Sequence, residues 1–460
     1  MASFKRLVEM LNRAKDGPPC TVREWDMERV PQTVKKYLNK YDLTGIFNKN
    51  QPVNQDLELA DRFFQAGLEM AEEIGLFCVS TETVVKVSRE EILAGIRDAP
   101  SSLTLGRGED QVVVRARHPE DPSPAVFASP LGLHVDEDLY VPITEGILQS
   151  RDVDILVGLS LDHIFGSPMY SGTPLETITA FQENRMREQA IWQSGRLGIP
   201  KFGISSSMTE YGQLGAFGEL TSPDNPAVAI ILEPAELKIS YAGFHKAASA
   251  IGFGGYIASG CPAIIGGYSG SAEGAILSNI ATDLMQFSIM QAQISNCAIY
   301  DIRYNSTCGR HGLWALSVVS QALSRNTHTL NYKVIFQMAG PCTKEFLYSS
   351  AAGIITSNTS GLTIIVGLYP AGGSRKNYIT PLGSWFGGEM TRATGGLSLE
   401  RANELALWLL EKYEHNLGHE PIGKNFYECF DVNTLTPSAE WQNMYLEVKE
   451  ELIDQGIELE

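Results

Sequence analysis

The sequence predicts an α/β protein built on a (β/α)8 TIM barrel, with an N-terminal helical and β elaboration and C-terminal helices. Three observations carry that prediction. From about residue 125 onward, short apolar runs alternate with longer amphipathic stretches. The apolar runs lack polar alternation, as do strands of a parallel sheet buried beneath helices. Eight strand candidates over about 270 residues match the count and size of such a barrel. A doubly wound open sheet is the structural alternative, but it usually has fewer strands and a phosphate loop after the first.

Residues 1–124 read as an elaboration packed on the barrel. Helical patterns fall at 3–14, 32–40, 55–75 and 89–97, and a β-like "QVVVRAR" follows at 111–117. The barrel is expected over 125–396. Its strand candidates begin with "AVFAS" (125–129), "DILVGLSL" (154–161), "PKFGISS" (200–206) and "VAIIL" (228–232). They continue with "PAIIGG" (262–267), "CAIYDIR" (297–303), "KVIFQMA" (333–339) and "LTIIVGL" (362–368). Helical patterns between them include 175–194, 271–291, 310–325, 342–357 and 382–395. Two further helices, at 398–418 and 438–456, make a C-terminal extension over 397–460.

Composition narrows the function. A net charge of −18, from 36 Lys and Arg against 54 Asp and Glu, lacks the concentrated cation that nucleic-acid binding requires. Seven scattered cysteines without a CxxC pair read as reduced thiols, neither a disulfide framework nor a zinc site. The uncharged stretches 247–272 and 346–374 are broken by Gly, Ser and Pro, so neither reads as a membrane span. The expectation is a soluble, cytoplasmic protein.

Reacting groups in such a barrel come from the C-terminal ends of strands and the loops after them. Those ends supply Ser205 to Ser207, Asp162, His163, Glu233, Glu236, Tyr268, Arg303, Tyr304, Gln337 and Tyr369. Spacing supports neither a metal triad nor a Ser/His/Asp arrangement. "HNLGH" (415–419) has two-ligand spacing, but Gly418 marks a helix end. "GGYSGSAEG" (266–274) lacks the Lys of a P-loop and reads as a tight strand-to-helix turn or an anion cradle. Asp162 and His163 read as an acid–base pair or as a helix cap with a solvated neighbour. An unpaired charge at Arg303 would be costly at the end of a buried strand, so it is expected to pair with Asp301 or Glu273, or to clamp a substrate anion.

Four stretches taken together resemble the monomethylamine:corrinoid methyltransferase family. They are "NRAKDGPPCT" (12–21), "FFQAGLEM" (63–70) with "REEI" (89–92), "AGPCT" (339–343), and "GEMTRATGG" (388–396) followed by "GKNFYECFDVNTLTP" (423–437). "SGRLG" (194–198), "ELKI" (236–239), "IGGYSG" (265–270) and "IRY" (302–304) match as well. The resemblance implies a homo-oligomeric barrel that moves a methyl group to the cobalt of a corrinoid (cobalamin) carried by a separate cognate protein, with no cofactor held permanently. It also implies pyrrolysine, an electrophilic imine residue, on the barrel floor. Matched through "GRLG", that position is Ser205 here. The Gln and Tyr that contact pyrrolysine fall on Val334 and Phe336, a nearby acid falls on Gly260, and the acid of "ELKI", Glu236, is kept.

Serine forms no imine-type adduct, so the resemblance implies a pyrrolysine-independent methyltransferase with a pre-activated donor, such as a quaternary ammonium, in place of monomethylamine. An acid that protonates the leaving atom is the other route, with Glu236 or Glu233 as the candidate. Glu236, Ser205 and Arg303 are the expected catalytic residues. Phe202, Ser207, Tyr268, Tyr304, Phe336 and Gln337 are the expected substrate contacts. Among the aromatics, Phe202, Tyr211, Phe217, Tyr304 and Phe336 either form a cation–π cage or simply pack. A non-catalytic paralogue that binds a ligand or a corrinoid protein is the alternative function.

Overall fold

Residues 2–203, 209–296 and 298–459 are described by a computed structural model. Eight parallel strands form its centre: β1 (Val126–Val135), β2 (Ile155–Leu161), β3 (Phe202–Gly203), β4 (Val228–Leu232), β5 (Tyr256–Gly260), β6 (Ile294–Asn296), β7 (Leu330–Phe336) and β8 (Ile364–Tyr369). Each strand pairs with the next in sequence, and β8 returns to β1. A parallel bridge between Leu156 and Lys201, with Leu156 N–H donating to the Pro200 carbonyl at 2.9 Å, joins β2 to β3 and closes the barrel. A helix follows each strand. These are α1 (Tyr140–Leu148), α2 (Pro174–Gln193), α3 (Glu210–Leu220) and α4 (Tyr241–Gly252), then α5 (Ala272–Ile289), α6 (Arg310–Asn326), α7 (Lys344–Thr359) and α8 (Pro381–Ala393). The (β/α)8 architecture is therefore present.

Residues such as "ILVGLSL" in β2 are buried throughout because one face fills the barrel and the other meets the helices. Val126, Val157, Phe202, Ile230, Ile294 and Val366 share one interior cluster. Leu103, Leu105 and Val114 belong to it too, and they come from a hairpin of Ser102–Leu105 and Val112–Arg115. The hairpin thus stoppers the N-terminal end of the barrel. It is tied there by Arg107 N–H to the Gly198 carbonyl (2.9 Å) and by the ion pair of Asp110 with buried Arg196. The "GRLG" motif is this tie.

Two expected strands differ from those observed. The runs 262–267 and 297–303 are not barrel staves. Ala263–Ile265 and Ile299–Asp301 form a separate parallel pair, and the staves are the preceding Tyr256–Gly260 and Ile294–Asn296. Those staves give little strand signal in sequence because "YIASG" and "ISN" are short and partly polar. Their polar groups are absorbed by helices behind them, as where Ser259 Oγ donates to Gln286 at 2.9 Å.

The N-terminal helix Leu57–Ile74 packs on α5 and α6, and every residue of α5 is buried between it and the barrel. Helices Leu399–Tyr413 and Ala439–Asp454 cover α7. Among the described residues no helix is long and apolar enough to cross a membrane. The six described cysteines are buried.

Gly67 marks a close approach. A Cβ there would lie 2.6 Å from Cγ2 and 2.9 Å from Cβ of Ile280 on α5. Gly→Ala in a helix ordinarily gains about 1 kcal/mol, but here overpacking costs about 1–3 kcal/mol. Gly67→Ala is therefore expected to lower the midpoint of chemical denaturation, and an unchanged or raised midpoint would contradict this packing.

Candidate active site

The C-terminal ends of β1, β4, β5, β6, β7 and β8 surround a cavity of about 200 Å³. Leu131, Ile230, Leu232 and Val334 give it apolar walls, and Tyr332, Phe336 and Tyr369 line it with aromatic rings. The Phe336 and Tyr369 rings meet edge to face at 5.2 Å, and Tyr300 backs Phe336 at 5.4 Å. Gly260, Cys261, Asn296 and Glu233 complete the polar side. The volume falls below the roughly 300–1,000 Å³ of drug-sized sites, so the ligand is small.

Glu233 follows β4 and is buried. Ser240, the N-cap of α4, donates its hydroxyl to Glu233 Oε2 at 2.7 Å and accepts the Gly243 N–H at 3.1 Å. Among the described residues, Glu233 Oε1 and Asn296 Nδ2 have no hydrogen-bond partner. A carboxyl with one donor in so dry a place resists ionisation. Burial pushes Glu233 up to about 8, with the thiol of Cys261 adding to the effect and Ser240 and the Lys246 ammonium opposing it.

The expected site residues separate into groups. Phe336 lines the cavity. Phe202 sits in the barrel interior, 6.1 Å from the Tyr332 ring, and not in the cavity lining. Gln337 is buried to one side, its Nε2 donating to Ser350 Oγ (3.0 Å) and its Oε1 accepting the Tyr369 N–H (2.8 Å). Tyr268 is exposed, with Lys238 Nζ 5.1 Å from its ring centre. Arg303 is half exposed and ion-paired with Asp301, its Nε 2.9 Å from Oδ1, and it lies 5.3 Å from the Tyr304 ring centre. Of its two expected acids, Asp301 is the partner. Ser205 and Ser207 fall outside the described residues.

Glu236 is buried but does not line the cavity. Its Oε1 accepts the Ile264 N–H at 2.7 Å, and its Oε2 accepts the Ser269 N–H and hydroxyl at 2.8 and 2.6 Å. With both oxygens occupied, it clamps the "GGYSG" turn; burial still raises its pKa, against those hydrogen bonds. Asp162 lies 3.0 Å from His163 and 2.7 Å from Lys376, which also reaches Asp136, an ion network outside the cavity. His415 and His419 flank the turn that ends a helix, with Gly418 at φ 87°. Asn296, Cys261 and Tyr332 were missed. Applying the strand-end rule to the true β5 and β6 would have reached the first two.

A parallel (β/α)8 barrel with a small, ring-lined cavity and a buried carboxyl at its C-terminal mouth is the architecture of an enzyme acting on a small molecule. The family profile of monomethylamine methyltransferase MtmB matches residues 6–457. The chain is 31% identical to the MtmB of Methanosarcina mazei and 30% identical to MtmB1 of Methanosarcina acetivorans, over 98% of this chain and 97% of each relative. The crystal structure of Methanosarcina barkeri MtmB and that of a hydroxylamine complex of MtmB each match with a TM-score of 0.93 and 28% identity, covering 98% of both chains. The chain belongs to the monomethylamine methyltransferase MtmB family.

Two substitutions separate the acids. Glu236→Gln places an amide where three donors converge and is expected to cost about 1–3 kcal/mol of unfolding free energy; denaturation equal to wild type would contradict the clamp. Glu233 acts through pH. The unfolded chain releases its proton near 4.5 and the folded one near 8, so its contribution to stability is full below pH 4.5 and is lost as pH rises to 8. Glu233→Gln is expected to flatten that stretch of the stability–pH curve, and parallel curves for variant and wild type would show that Glu233 ionises normally.

Proposed function

We propose that this protein transfers a methyl group from a small, pre-activated donor, such as a quaternary ammonium, to the Co(I) of a corrinoid on a separate partner protein, without pyrrolysine. The observation that carries the reading is the coincidence of the cavity with the positions that depart from the family. Gly260, Val334 and Phe336, which stand where the family keeps an acid, a Gln and a Tyr around pyrrolysine, all line it. Ser205 stands at the pyrrolysine position itself. The hydrogen-bonding apparatus for an imine has been exchanged for apolar and aromatic surface.

The chemistry follows from the leaving group. When a partner presents it, a reduced corrinoid supplies the nucleophile for an in-line displacement. A quaternary ammonium then departs as a neutral tertiary amine, so no side chain has to protonate it. The work left to this chain is to hold the donor still and keep water away. Phe336, Tyr369 and Tyr332 offer ring faces to a positive nitrogen, worth about 0.5–2 kcal/mol each. Leu131, Ile230 and Leu232 exclude water. Of the two acids, Glu233 belongs to the cavity lining, and for an uncharged leaving atom it is the proposed proton source. Among the described residues no group of three His, Cys, Asp or Glu is placed to hold a metal ion.

The test is spectroscopic. The protein is mixed with Co(I) corrinoid, free or on a carrier, and with methylated ammonium, sulfonium or methoxy compounds. Methyl-Co(III) is expected from an onium donor and not from monomethylamine. Turnover of monomethylamine would overturn the reading, and failure of every donor with a docked carrier would leave the binding paralogue.

A further inference from the structure

We infer that Gly373, which lies outside the cavity lining, sets the size of donor the cavity admits, because it leaves the Tyr369 ring room to stand back from that space. The inference deepens the proposed function and rests on it for the use of the cavity as the donor site.

The loop that follows β8 is held in an uncommon conformation. Ala371, Gly372 and Gly373 have φ of 51°, 58° and 62°, three left-handed residues in succession, one of them not a glycine. Such a backbone persists only where the surrounding structure holds it. Here the Ala371 N–H donates to the Ala339 carbonyl at 3.0 Å and the Gly372 N–H to the Gln337 carbonyl at 2.8 Å, both in the segment that leaves β7. Ser374 adds its hydroxyl to the Ala371 carbonyl at 2.7 Å. The loop is thereby folded back onto Tyr369, the residue that ends β8. A Cβ on Gly373 would overlap Cζ, Oη and Cε1 of that ring. Loop and ring therefore lie together only because position 373 carries no side chain.

Gln337 joins the two. Its backbone carbonyl holds the loop, and its side-chain Oε1 accepts the Tyr369 N–H at 2.8 Å. Its Nε2 is fixed in turn by Ser350 Oγ on α7 at 3.0 Å. Gln337 does not line the cavity, yet it decides where the ring's backbone sits relative to the loop. The Phe336 ring meets Tyr369 edge to face at 5.2 Å, and Tyr300 backs Phe336. With the loop, the strand and Phe336 around it, the space left to the Tyr369 ring is the cavity it lines. A methyl group at position 373 thus drives the ring into that space, by an ångström or more before ordinary contact is restored.

Crystal structures and methyl-cobalt kinetics of Gly373→Ala, Tyr369→Ala and the double variant test this. In Gly373→Ala the Tyr369 ring is expected to enter the cavity while the loop stays in place. Its KM for choline should rise about ten-fold or more, the usual effect of a methylene's worth of space in an apolar pocket. The KM for the smaller tetramethylammonium should rise much less, and kcat for either should change little. In the double variant the effect of the alanine should vanish, since no ring is left to displace. An unmoved ring, equal changes of KM for the two donors, or a change that persists without the ring would each overturn the inference. Should Gly373→Ala fail to fold, the double variant decides: recovered folding upholds the contact, and continued failure overturns it. Choline turnover untouched by Gly373→Ala would sink the inference while leaving the proposed function intact. Absence of methyl-cobalt from every onium donor would sink the proposed function, and the position of the ring would still decide the inference.

Discussion

The site depends on one carboxyl being held where a carboxyl is least comfortable. Glu233 leaves β4, its N–H donates to the Gly260 carbonyl at the end of β5, and its side chain ends against the first turn of α4. Ser240 caps that turn and holds Oε2, while Gly243 leaves room for Oε1, which a Cβ there would approach to 1.6 Å. Strand end, helix cap and glycine form one unit, and its product is a single unpaired oxygen buried between β4 and α4. The pH dependence of stability descends from that burial.

The motifs that mark the family do different work. "GRLG" ties the floor hairpin, through Arg196 to Asp110 and through Gly198 to Arg107. "AGPC" lies against the "GKNF" segment, where Gly340 N–H donates to the Pro421 carbonyl and Lys424 N–H to the Pro341 carbonyl. Cβ atoms on Gly340 or Gly423 would fall within 2 Å of backbone oxygens across that seam. These motifs join distant parts of the backbone, so they persist whatever the cavity contains. The lining is under no such constraint, and Gly260, Val334 and Phe336 lie in it.

Much of this was legible in the chain. Runs such as "ILVGL" and "VAIIL" announce staves because burial on both faces leaves no place for polar alternation. The staves β5 and β6 were not legible, since Ser259, Ser295 and Asn296 are tolerated only by partners and spaces that other segments supply. The more apolar runs just after them carry the stronger strand signal, which shifts the expected strand ends by several residues. Tyr268, Arg303 and Tyr304 were expected at the site for that reason and lie outside the cavity. Tyr332 was invisible because it points inward from mid-strand. Glu233 and Glu236, three residues apart, cannot be told apart in sequence, since what separates them is whether loop donors from 264 and 269 reach the carboxyl.

The most direct measurement is a crystal structure of the protein grown with choline. The account places its trimethylammonium group in the cavity, against Phe336 and Tyr369. Choline bound beside Arg303 or Tyr268 with the cavity vacant would contradict it.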